Sequence, residues 1–380
     1  MKQLFVNRYT EDYQQISSDN IYTSNTNLSC EEISQIIQNF DRINIKEIEP
    51  ITQNIDSYND LSILIDELTN LMFKAVNEGK EIMVIKQCFL DNINNYQINL
   101  QKIYNWLLNN QDNSNSIYLL GYLNYYGIGI NINMKKSLEL FQKAAKLENI
   151  LAQLDVANRY LYDDNDKNKL IEAFEIYKKL AEREIPFSIV MLGCCHENGI
   201  GTEKNEKKAF NLFQKAAYLG NSFGLWKLGC CCIYEIGTSI INEQKAFESF
   251  QKSADLGHSC GIYDLGACYE NGVGIEIDEE KAFELYQKAE DLENLYAIDA
   301  LGCCYITGIG TDNIDMQKAF DLFQQAANLG NSSAQYNLAA MFEDGYGIKK
   351  DMNQAIYWYK KSAEQDYQNA KDRLMELQIV

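Results

Sequence analysis

Proline, histidine and positive charge are scarce in this sequence, and each scarcity excludes a class of structure or function. The 380 residues include two prolines and two histidines. Because proline breaks helices, its rarity favours a mostly helical chain. Because the formal net charge is −20, we expect no face that neutralises nucleic-acid phosphates, and binding to anionic membranes is disfavoured for the same reason.

Long apolar runs are absent as well. No run of about 18 apolar residues occurs, so a membrane-spanning helix and membrane insertion are not expected. The N-terminal "MKQLFVNRYTEDYQQ" lacks the apolar core of a secretory signal peptide, so we expect a cytoplasmic protein. The 11 cysteines are therefore expected to be reduced thiols rather than a disulfide framework.

What the sequence has in abundance is repetition. In the same phase, a glycine recurs eight residues after a small residue, and a run such as "KAFNLFQKAAYLGN" follows further downstream. A period of 36 or 37 residues kept over seven copies predicts a repeat protein. The small residues that mark the copies are Gly121, Ala157, Gly193, Gly229, Gly266, Gly302 and Ala339.

Each copy is predicted to be a pair of helices. In the fifth copy Gly261, Leu265 and Tyr269 lie four residues apart and share one helix face, which is typical of a packing stripe. The glycine beside this stripe would let a neighbouring helix approach closely. The Gly-x-Gly that follows would end the first helix at positive φ. Because one such hairpin cannot bury its own apolar face, the copies are expected to stack into a solenoid.

The pattern A-x-x-x-L-G-x-x-Y-x-x-G-x-G, followed by K-A-x-x-x-[FY]-x-K-A-A, resembles the Sel1-like repeat, a relative of the tetratricopeptide repeat. The resemblance covers residues 113–380, and the best copies are 261–296 and 334–369. It implies an all-α, right-handed α-α superhelical solenoid of about seven repeats. Residues 370–377 are expected to form a C-terminal capping helix. Copy two departs from the pattern with "YDDNDKNK", and copy four has Glu235 where the first glycine belongs.

The residues before the repeats divide into two regions. Residues 1–28 are polar and without periodicity, which predicts disorder. Residues 29–112 are predicted to form a small helical bundle, which opens with a capping box at Ser29 and has a stop signal at Gly79. Further helices are predicted over residues 61–76, 81–93 and 99–109.

Part of this N-terminal region carries a second resemblance. Segments such as "INLQKIYNWLLNNQ" are similar to the stretch between the catalytic and repeat halves of fungal kinase–Sel1 fusion proteins. No glycine-rich nucleotide loop, His-Arg-Asp loop or Asp-Phe-Gly occurs in this sequence. The similarity therefore extends to the repeat half of such fusions and to no kinase domain.

Two features invite a chemical interpretation. Cys194, Cys195 and His196 suggest a metal site, but neighbours on a helix diverge by about 100°, whereas zinc needs cysteines at least two residues apart. We interpret the thiols as small fillers between repeats, and His196 as a packed member of the aromatic stripe. The Gly-x-Gly followed by lysines lacks the Gly-Lys-Ser/Thr of a phosphate loop, so it is interpreted as a turn. His258 is expected in a loop. No catalytic residue, metal ligand or cofactor is predicted.

The remaining candidate site is the concave face, which the family resemblance assigns to the first helices. Residues two before and one after the small marker lie beside the packing stripe and vary between copies. These mixed rows favour protein or peptide ligands, and the acidic composition favours basic ones. The candidate binding residues are Asp155, Asn158, Met191, Cys194, Lys227, Asp264 and Asn337.

Two classes of function follow. The first is a non-enzymatic scaffold or adaptor in intracellular signalling or quality control, with a protein kinase or signalling complex among its expected partners. The second is a hydrolase of β-lactam-like substrates, an activity credited to bacterial relatives. That alternative requires export and cysteines spaced across each repeat, whereas here they are adjacent within one helix. An adaptor of endoplasmic-reticulum degradation, like the family's namesake, requires a signal peptide and a membrane anchor.

Overall fold

The structure is a computed structural model that describes residues 58–161, 166–311 and 313–378. These residues form 18 α-helices and no β-strand, which confirms the all-α class. The predictions for residues 1–28 and for the helix that begins at Ser29 lie outside the described ranges. The helices are α1 (Tyr58–Asn77), α2 (Ile82–Asn95), α3 (Leu100–Asn109), α4 (Ser114–Tyr126), α5 (Met134–Lys146), α6 (Ile150–Leu161), α7 (Lys167–Glu182), α8 (Pro186–Asn198), α9 (Glu206–Tyr218), α10 (Ser222–Tyr234), α11 (Glu243–Asp255), α12 (Ser259–Asn271), α13 (Glu279–Glu290), α14 (Leu295–Thr307), α15 (Met316–Asn328), α16 (Ser332–Asp344), α17 (Met352–Glu364) and α18 (Gln368–Glu376).

Two compact units divide the described chain, and the division falls inside α10, between Gly224 and Leu225. The first unit holds α1 to α9, and the second holds α11 to α18. In each unit, consecutive helices of the repeats pack against one another in chain order. This sequential contact is what a stacked repeat array predicts. Within the described ranges, no helix combines the length and apolarity needed to cross a membrane.

Each repeat is a helical hairpin whose inner turn is built by a fixed set of backbone contacts. In the third repeat Gly199 caps α8 with φ of 73°, and its N–H donates to the carbonyl of Cys195. Asn205 then starts α9, because its side chain accepts a hydrogen bond from the N–H of Lys208 at 2.9 Å. These contacts confirm that the Gly-x-Gly is a turn.

Where the marker of a first helix is a glycine, it packs against an aromatic ring of the second helix. A Cβ built on Gly193 would lie 2.6 Å from Cε1 of Phe213, and one on Gly302 would lie 2.6 Å from Cε1 of Phe323. Both rings are 0% exposed, and burying such a side chain contributes about 1.5–3 kcal/mol. The prediction that the glycine permits close helix approach is confirmed.

Helix α3 takes the place of a second helix before the first repeat. In the seventh repeat, Gly347 contacts the backbone of Met316, the first residue of the preceding second helix; in the first repeat, Gly129 contacts Leu100, the first residue of α3. Likewise, Lys143 bonds Gln111 just after α3. Helix α3 therefore packs on the first repeat as the second helix of a preceding repeat would, and the small bundle that the sequence predicts for residues 29–112 stays a prediction.

The end of the chain is closed by α18, which confirms the predicted capping helix. Ala370 and Leu374 are buried against the last repeat. On the same helix, Arg373 forms a salt bridge with Glu343 of α16, and this pairing lowers the pKa of the glutamate. The last hairpin is thus covered by a short helix that mimics the first helix of a further repeat.

Candidate protein-binding site

The predicted binding residues lie on the first helices, but four of them lack the exposure that the sequence interpretation assumed. In α8, every residue from Ser188 to Glu197 is buried. A helix that is buried all round has no free flank, so variation between copies was a wrong guide to exposure there. Met191, Cys194, Lys227 and Asp264 are 3%, 1%, 0% and 7% exposed, and Asp155, Asn158 and Asn337 are partly buried.

Asp264 is bound inside the second unit. Its carboxylate accepts a hydrogen bond of 2.6 Å from Nε1 of Trp226, which is fully buried. The ring of His258 lies 5.7 Å from that of Trp226. Burial raises the pKa of Asp264 to about 7, against the opposing effect of the Trp226 hydrogen bond. At neutral pH this carboxyl is therefore partly protonated, so it is a poor fixed charge for a basic partner.

Asp155 has a comparable environment in the first unit. Burial raises its pKa to about 6, although Arg159 and a hydrogen bond from Tyr118 act in the opposite direction. The same interaction, together with burial, raises the pKa of Tyr118. Asp155 and Asp264 occupy the same position in their repeats, two residues before the marker. At this position a carboxyl is held by an aromatic donor rather than presented to solvent.

The two asparagines of the predicted set also bond within the chain. Asn158 accepts a hydrogen bond of 2.6 Å from the hydroxyl of Tyr177 on the second helix of its repeat. Asn337 donates to Asp299, in the preceding repeat, at 2.9 Å. One contact thus joins the helices of a hairpin, and the other joins two neighbouring repeats.

Helix α1 lies along the first helices of the first unit, an arrangement that sequence reasoning missed. Near its middle, Asp66 accepts a hydrogen bond of 2.7 Å from the side chain of Asn115, at the start of α4. Further along it contacts α8. Just past its end, Glu78 accepts a hydrogen bond of 2.9 Å from the N–H of Ser222, at the start of α10. A single helix outside the repeats, with the residues that directly follow it, therefore contacts the first, third and fourth of them.

The C-terminal end of α1 is capped by the turn that follows α9. Asn221 donates from Nδ2 to the carbonyl of Asn77 at 2.9 Å, and Ser222 donates from Oγ to the carbonyl of Gly79 at 2.8 Å. At the same time, Oδ1 of Asn221 accepts from the N–H of Gly224 at 2.8 Å. One asparagine thus satisfies carbonyls at the end of α1 and an N–H at the start of α10.

The N-terminal helices also cover the predicted rows of the first repeat. Leu119 and Tyr122, which hold the two row positions there, share one buried cluster with Leu64 and other residues of α1. The ring of Tyr122 lies 5.5 Å from that of Phe89 on α2. In this repeat the candidate binding face is already occupied by the chain's own helices.

The cysteines of the adjacent pairs and the two histidines lie in packing and capping positions. The paired cysteines are at most 7% exposed, and burial raises the pKa of Cys195. His196 lies edge-on to Phe174 at 5.6 Å, which confirms that it packs in the aromatic stripe. His258 caps α12 by accepting from the N–H of Gly261. Among the residues described, no three His, Cys, Asp or Glu side chains converge to hold a metal ion.

The sequence contains only part of the signal for the α1 contacts. Gly79 was identified as a stop, and its φ of 75° confirms this. Its second property is spatial, because a Cβ there would lie 2.8 Å from Oγ of Ser222. Asn221 and Ser222 stand where the next helix begins, and Asn221 accepts from the N–H of Gly224 there. Nothing local indicates that they also cap a helix 144 residues away.

Stacked two-helix units with a 36-residue period define an α-α repeat protein. Sel1 repeat proteins generally mediate protein–protein interactions, and their solenoid is typically a non-catalytic scaffold. The Sel1 repeat matches this chain over residues 114–149, 150–184, 186–221, 222–258, 261–294, 295–331 and 332–367. These matches cover more than half of the chain, which therefore belongs to the Sel1 repeat family.

Solved structures of similar proteins agree with this assignment. One is c5321, a protective antigen of uropathogenic Escherichia coli strains with an SLR fold; it is 25% identical over 74% of this chain, with a TM-score of 0.50. This chain spans 59% of that protein's length. A Sel1 repeat protein from Oxalobacter formigenes is 18% identical, over 90% of this chain and 99% of its own, with a TM-score of 0.50. It supports the fold alone. A comparison with curated proteins returned no match.

Proposed function

We propose that this chain is a non-enzymatic scaffold that binds helical segments of partner proteins through the first helices of its repeats. We place it in the cytoplasm, in signalling or quality-control assemblies, with basic segments preferred because the chain carries a net charge of −20. The observation that carries the proposal is α1, an amphipathic helix outside the repeats that lies along the first helices of three of them.

Helix α1 serves as an internal example of such a ligand. Its buried stripe includes Leu64, Leu68 and Met72, each at most 2% exposed. Burying each of these side chains contributes about 1.5–3 kcal/mol, and hydrogen bonds from Asn115 and Asn221 hold the helix near its middle and at its C-terminal end. A partner helix with the same apolar spacing would make equivalent contacts, in the helix-in-groove mode of recognition.

A partner that uses the first helices of the first, third or fourth repeat must compete with α1 and the residues that follow it. An attached segment has an effective concentration of about millimolar, so it outcompetes a free ligand of equal intrinsic affinity at ordinary concentrations. We therefore infer that partners of this face bind more tightly than α1 does, or arrive already concentrated in an assembly. The negative charge of the chain attracts basic segments, which would raise their local concentration and favour the second of these two possibilities.

Locking α1 in place tests the proposal. Asp66 and Asn115 are in contact through their side chains, so D66C and N115C together allow a short, reductant-cleavable maleimide cross-link between α1 and α4. We expect affinity capture with mass spectrometry to lose partners from the cross-linked chain and to recover them after reduction. The single variant N115C, treated with the same reagent, is the control.

Two outcomes would contradict this function. An identical set of partners before and after cross-linking would show that the first helices of these repeats are not the binding face. A chain lacking residues 113–380 that retained every partner would assign binding to the N-terminal helices instead. The two results are distinguishable, because only the second removes the repeats.

A further inference from the structure

Five isoleucines are exposed on the inner turns of three consecutive repeats in the second unit. We call them the isoleucine ridge: Ile240, Ile241, Ile275, Ile277 and Ile314, which are 70%, 53%, 37%, 63% and 61% exposed. Single exposed apolar side chains are ordinary on a soluble protein, but a contiguous set is a mark of an interaction surface. The ridge is separate from the first helices to which the proposed function is assigned.

The backbone that carries the ridge is held in place by hydrogen bonds. The N–H groups of Asn242, Asp278 and Asp315 donate to carbonyls of the preceding first helices, each at 2.9 Å. The side chains of the same three residues cap the second helices that follow. Because both ends of each turn are fixed, the isoleucines cannot gain burial by local collapse of the loop.

Contacts between successive turns place the three turns of the ridge next to one another. Gly274 in the turn of the fifth repeat packs on the backbone of Glu243, which directly follows the turn of the fourth. Gly310 in the sixth repeat packs in the same way on Glu279, directly after the turn of the fifth. Since neighbouring helices lie about 8–10 Å apart, the ridge presents isoleucines at intervals of about one helix diameter.

One position in these turns is isoleucine in some repeats and lysine in others. Ile277 and Ile314 fold back over the glycines that end their first helices, as Ile132 does in the first repeat, and the same place is held by Lys204 in the third repeat and Lys350 in the seventh. The fold therefore accepts lysine at this position, whose stem covers the glycine while its charge reaches water. Isoleucine here is not a requirement of the turn.

The charge around the ridge is predominantly negative. Residues 237–244 and 274–280 contain no lysine or arginine, and Lys245, Lys281 and Lys318 follow in the first turns of the second helices. The exposed carboxylates there include Glu243, Glu276 and Glu279. By contrast, the turn of the seventh repeat has Lys349 and Lys350 next to each other. Apolar side chains framed by carboxylates complement a surface that is apolar and basic.

We propose that the isoleucine ridge docks a basic amphipathic helix of a partner protein. Seven residues of an α-helix rise about 10.5 Å, which matches the spacing of the turns, so apolar side chains one heptad apart would meet successive repeats. Lysine and arginine on either side of that stripe would then face the carboxylates. An interface built around five side chains is small, and small interfaces correspond to transient interactions.

A designed peptide tests this site on the full chain. The probe is a labelled helix of about three heptads, with leucine on one stripe and lysine or arginine flanking it, and binding is measured by fluorescence anisotropy at physiological salt. We expect the wild-type chain to bind it at least about tenfold more tightly than a scrambled peptide of the same composition. The double variant I277K and I314K should lose about tenfold in affinity, and its fold is checked by circular dichroism.

The control adds the same charge elsewhere. I171K and Y218K replace side chains that are 50% and 90% exposed and lie outside the ridge, and we expect roughly twofold weakening or less from them. If that control lost as much affinity as the ridge variant, or if the scrambled peptide bound equally well, net charge and not the ridge would explain binding. If instead the wild-type chain were a dimer that I277K and I314K dissociated, the occupant would be a second copy.

The single variant I240K is a milder change, for use if the double variant misfolds. Unchanged peptide binding by I240K and by a folded double variant would overturn the proposal.

Discussion

In the repeats whose inner turn lies within the described residues, both turns place a residue at positive φ, but they do so for different reasons. In the inner turn, Gly274 has φ of 67°, and a Cβ there would lie 2.5 Å from the carbonyl oxygen of Glu243. In the turn between repeats, Gly257 has φ of 81°, and a Cβ there would meet nothing within 4 Å. At Gly274 a side chain would collide with the neighbouring backbone. At Gly257 a side chain has room, and only the positive φ disfavours it.

The difference is visible in which residues fill each position. Between repeats, the place of glycine is taken by Glu148, Glu184, Glu293 and Asp366, all with φ between 59° and 65°. In the inner turn the second glycine is retained at 129, 201, 237, 274, 310 and 347. A left-handed residue costs about 1–2 kcal/mol when it is not glycine, which a repeat array tolerates, whereas a backbone collision is not tolerated.

The largest expected effect is that of Gly274→Ala. The left-handed backbone and the contact with Glu243 add up to a loss of about 3 kcal/mol in unfolding free energy. Chemical denaturation followed by circular dichroism measures it. A loss no larger than that of the matched variant described next would mean that the neighbouring helix yields freely, and the distinction between the two turns would disappear.

Gly257→Ala is that matched variant, and its expected loss is about 1 kcal/mol. Nothing lies within 4 Å of the added methyl group, so only the cost of positive φ remains. The same denaturation experiment, run side by side, gives the difference between the two glycines. A loss equal to that of Gly274→Ala would show that φ alone governs both turns.

Glu235→Gly should stabilise the chain by about 1 kcal/mol. Glu235 holds the first-glycine position of the fourth repeat with φ of 56°, and its side chain is exposed. Removing the side chain relieves the left-handed strain at the cost of a more flexible unfolded chain. The readout is the midpoint of thermal unfolding, and a lower midpoint would show that the glutamate has a compensating contact.

Glu293→Gly should give a smaller gain, about 0.5 kcal/mol, because its turn is already the more permissive one. Glu148→Gly is the informative comparison, since it also removes an ion pair with Lys179 at 3.3 Å. We expect Glu148→Gly to raise the midpoint of thermal unfolding by less than Glu293→Gly does. An equal increase would indicate that the exposed pair contributes nothing measurable.

Ile277→Lys should leave the unfolding free energy almost unchanged, within about 0.5 kcal/mol. Lys204 and Lys350 already occupy this place in other repeats. Thermal unfolding of the single variant is sufficient to measure the effect. A large destabilisation would mean that the isoleucine is a structural part of its turn, and it would weaken the case for a docking role.

The repeat architecture could be predicted because its determinants are local and periodic. The marker glycines, the Gly-x-Gly turns and the stop at Gly79 each follow from residues a few positions apart. The candidate site could not be predicted in the same way. Met191 and Cys194 vary between copies and yet are buried, because burial depends on neighbours that the repeat pattern does not encode.

The position of α1 illustrates the same limit. A helix was predicted over residues 61–76, but a helical pattern does not specify the surface that covers the helix. That surface is fixed by Asp66 with Asn115, and by Asn77 with Asn221, pairs separated by 49 and 144 positions in the chain. The hydrogen bonds join common side chains with no spacing signature. The packing role of the cysteines, in contrast, could be predicted from the sequence, because it follows from the spacing of neighbouring residues on one helix.

The separation between Asn77 and Asn221 has a consequence during synthesis. At roughly 5–20 residues per second, α1 emerges from the ribosome about 7 to 30 seconds before the residues that cap its C-terminal end. For that interval the surface that buries Leu64, Leu68 and Met72 in the folded chain is incomplete. During that time the apolar face of α1 on the nascent chain is accessible to chaperones. The speed of translation through the first three repeats sets the length of this exposure.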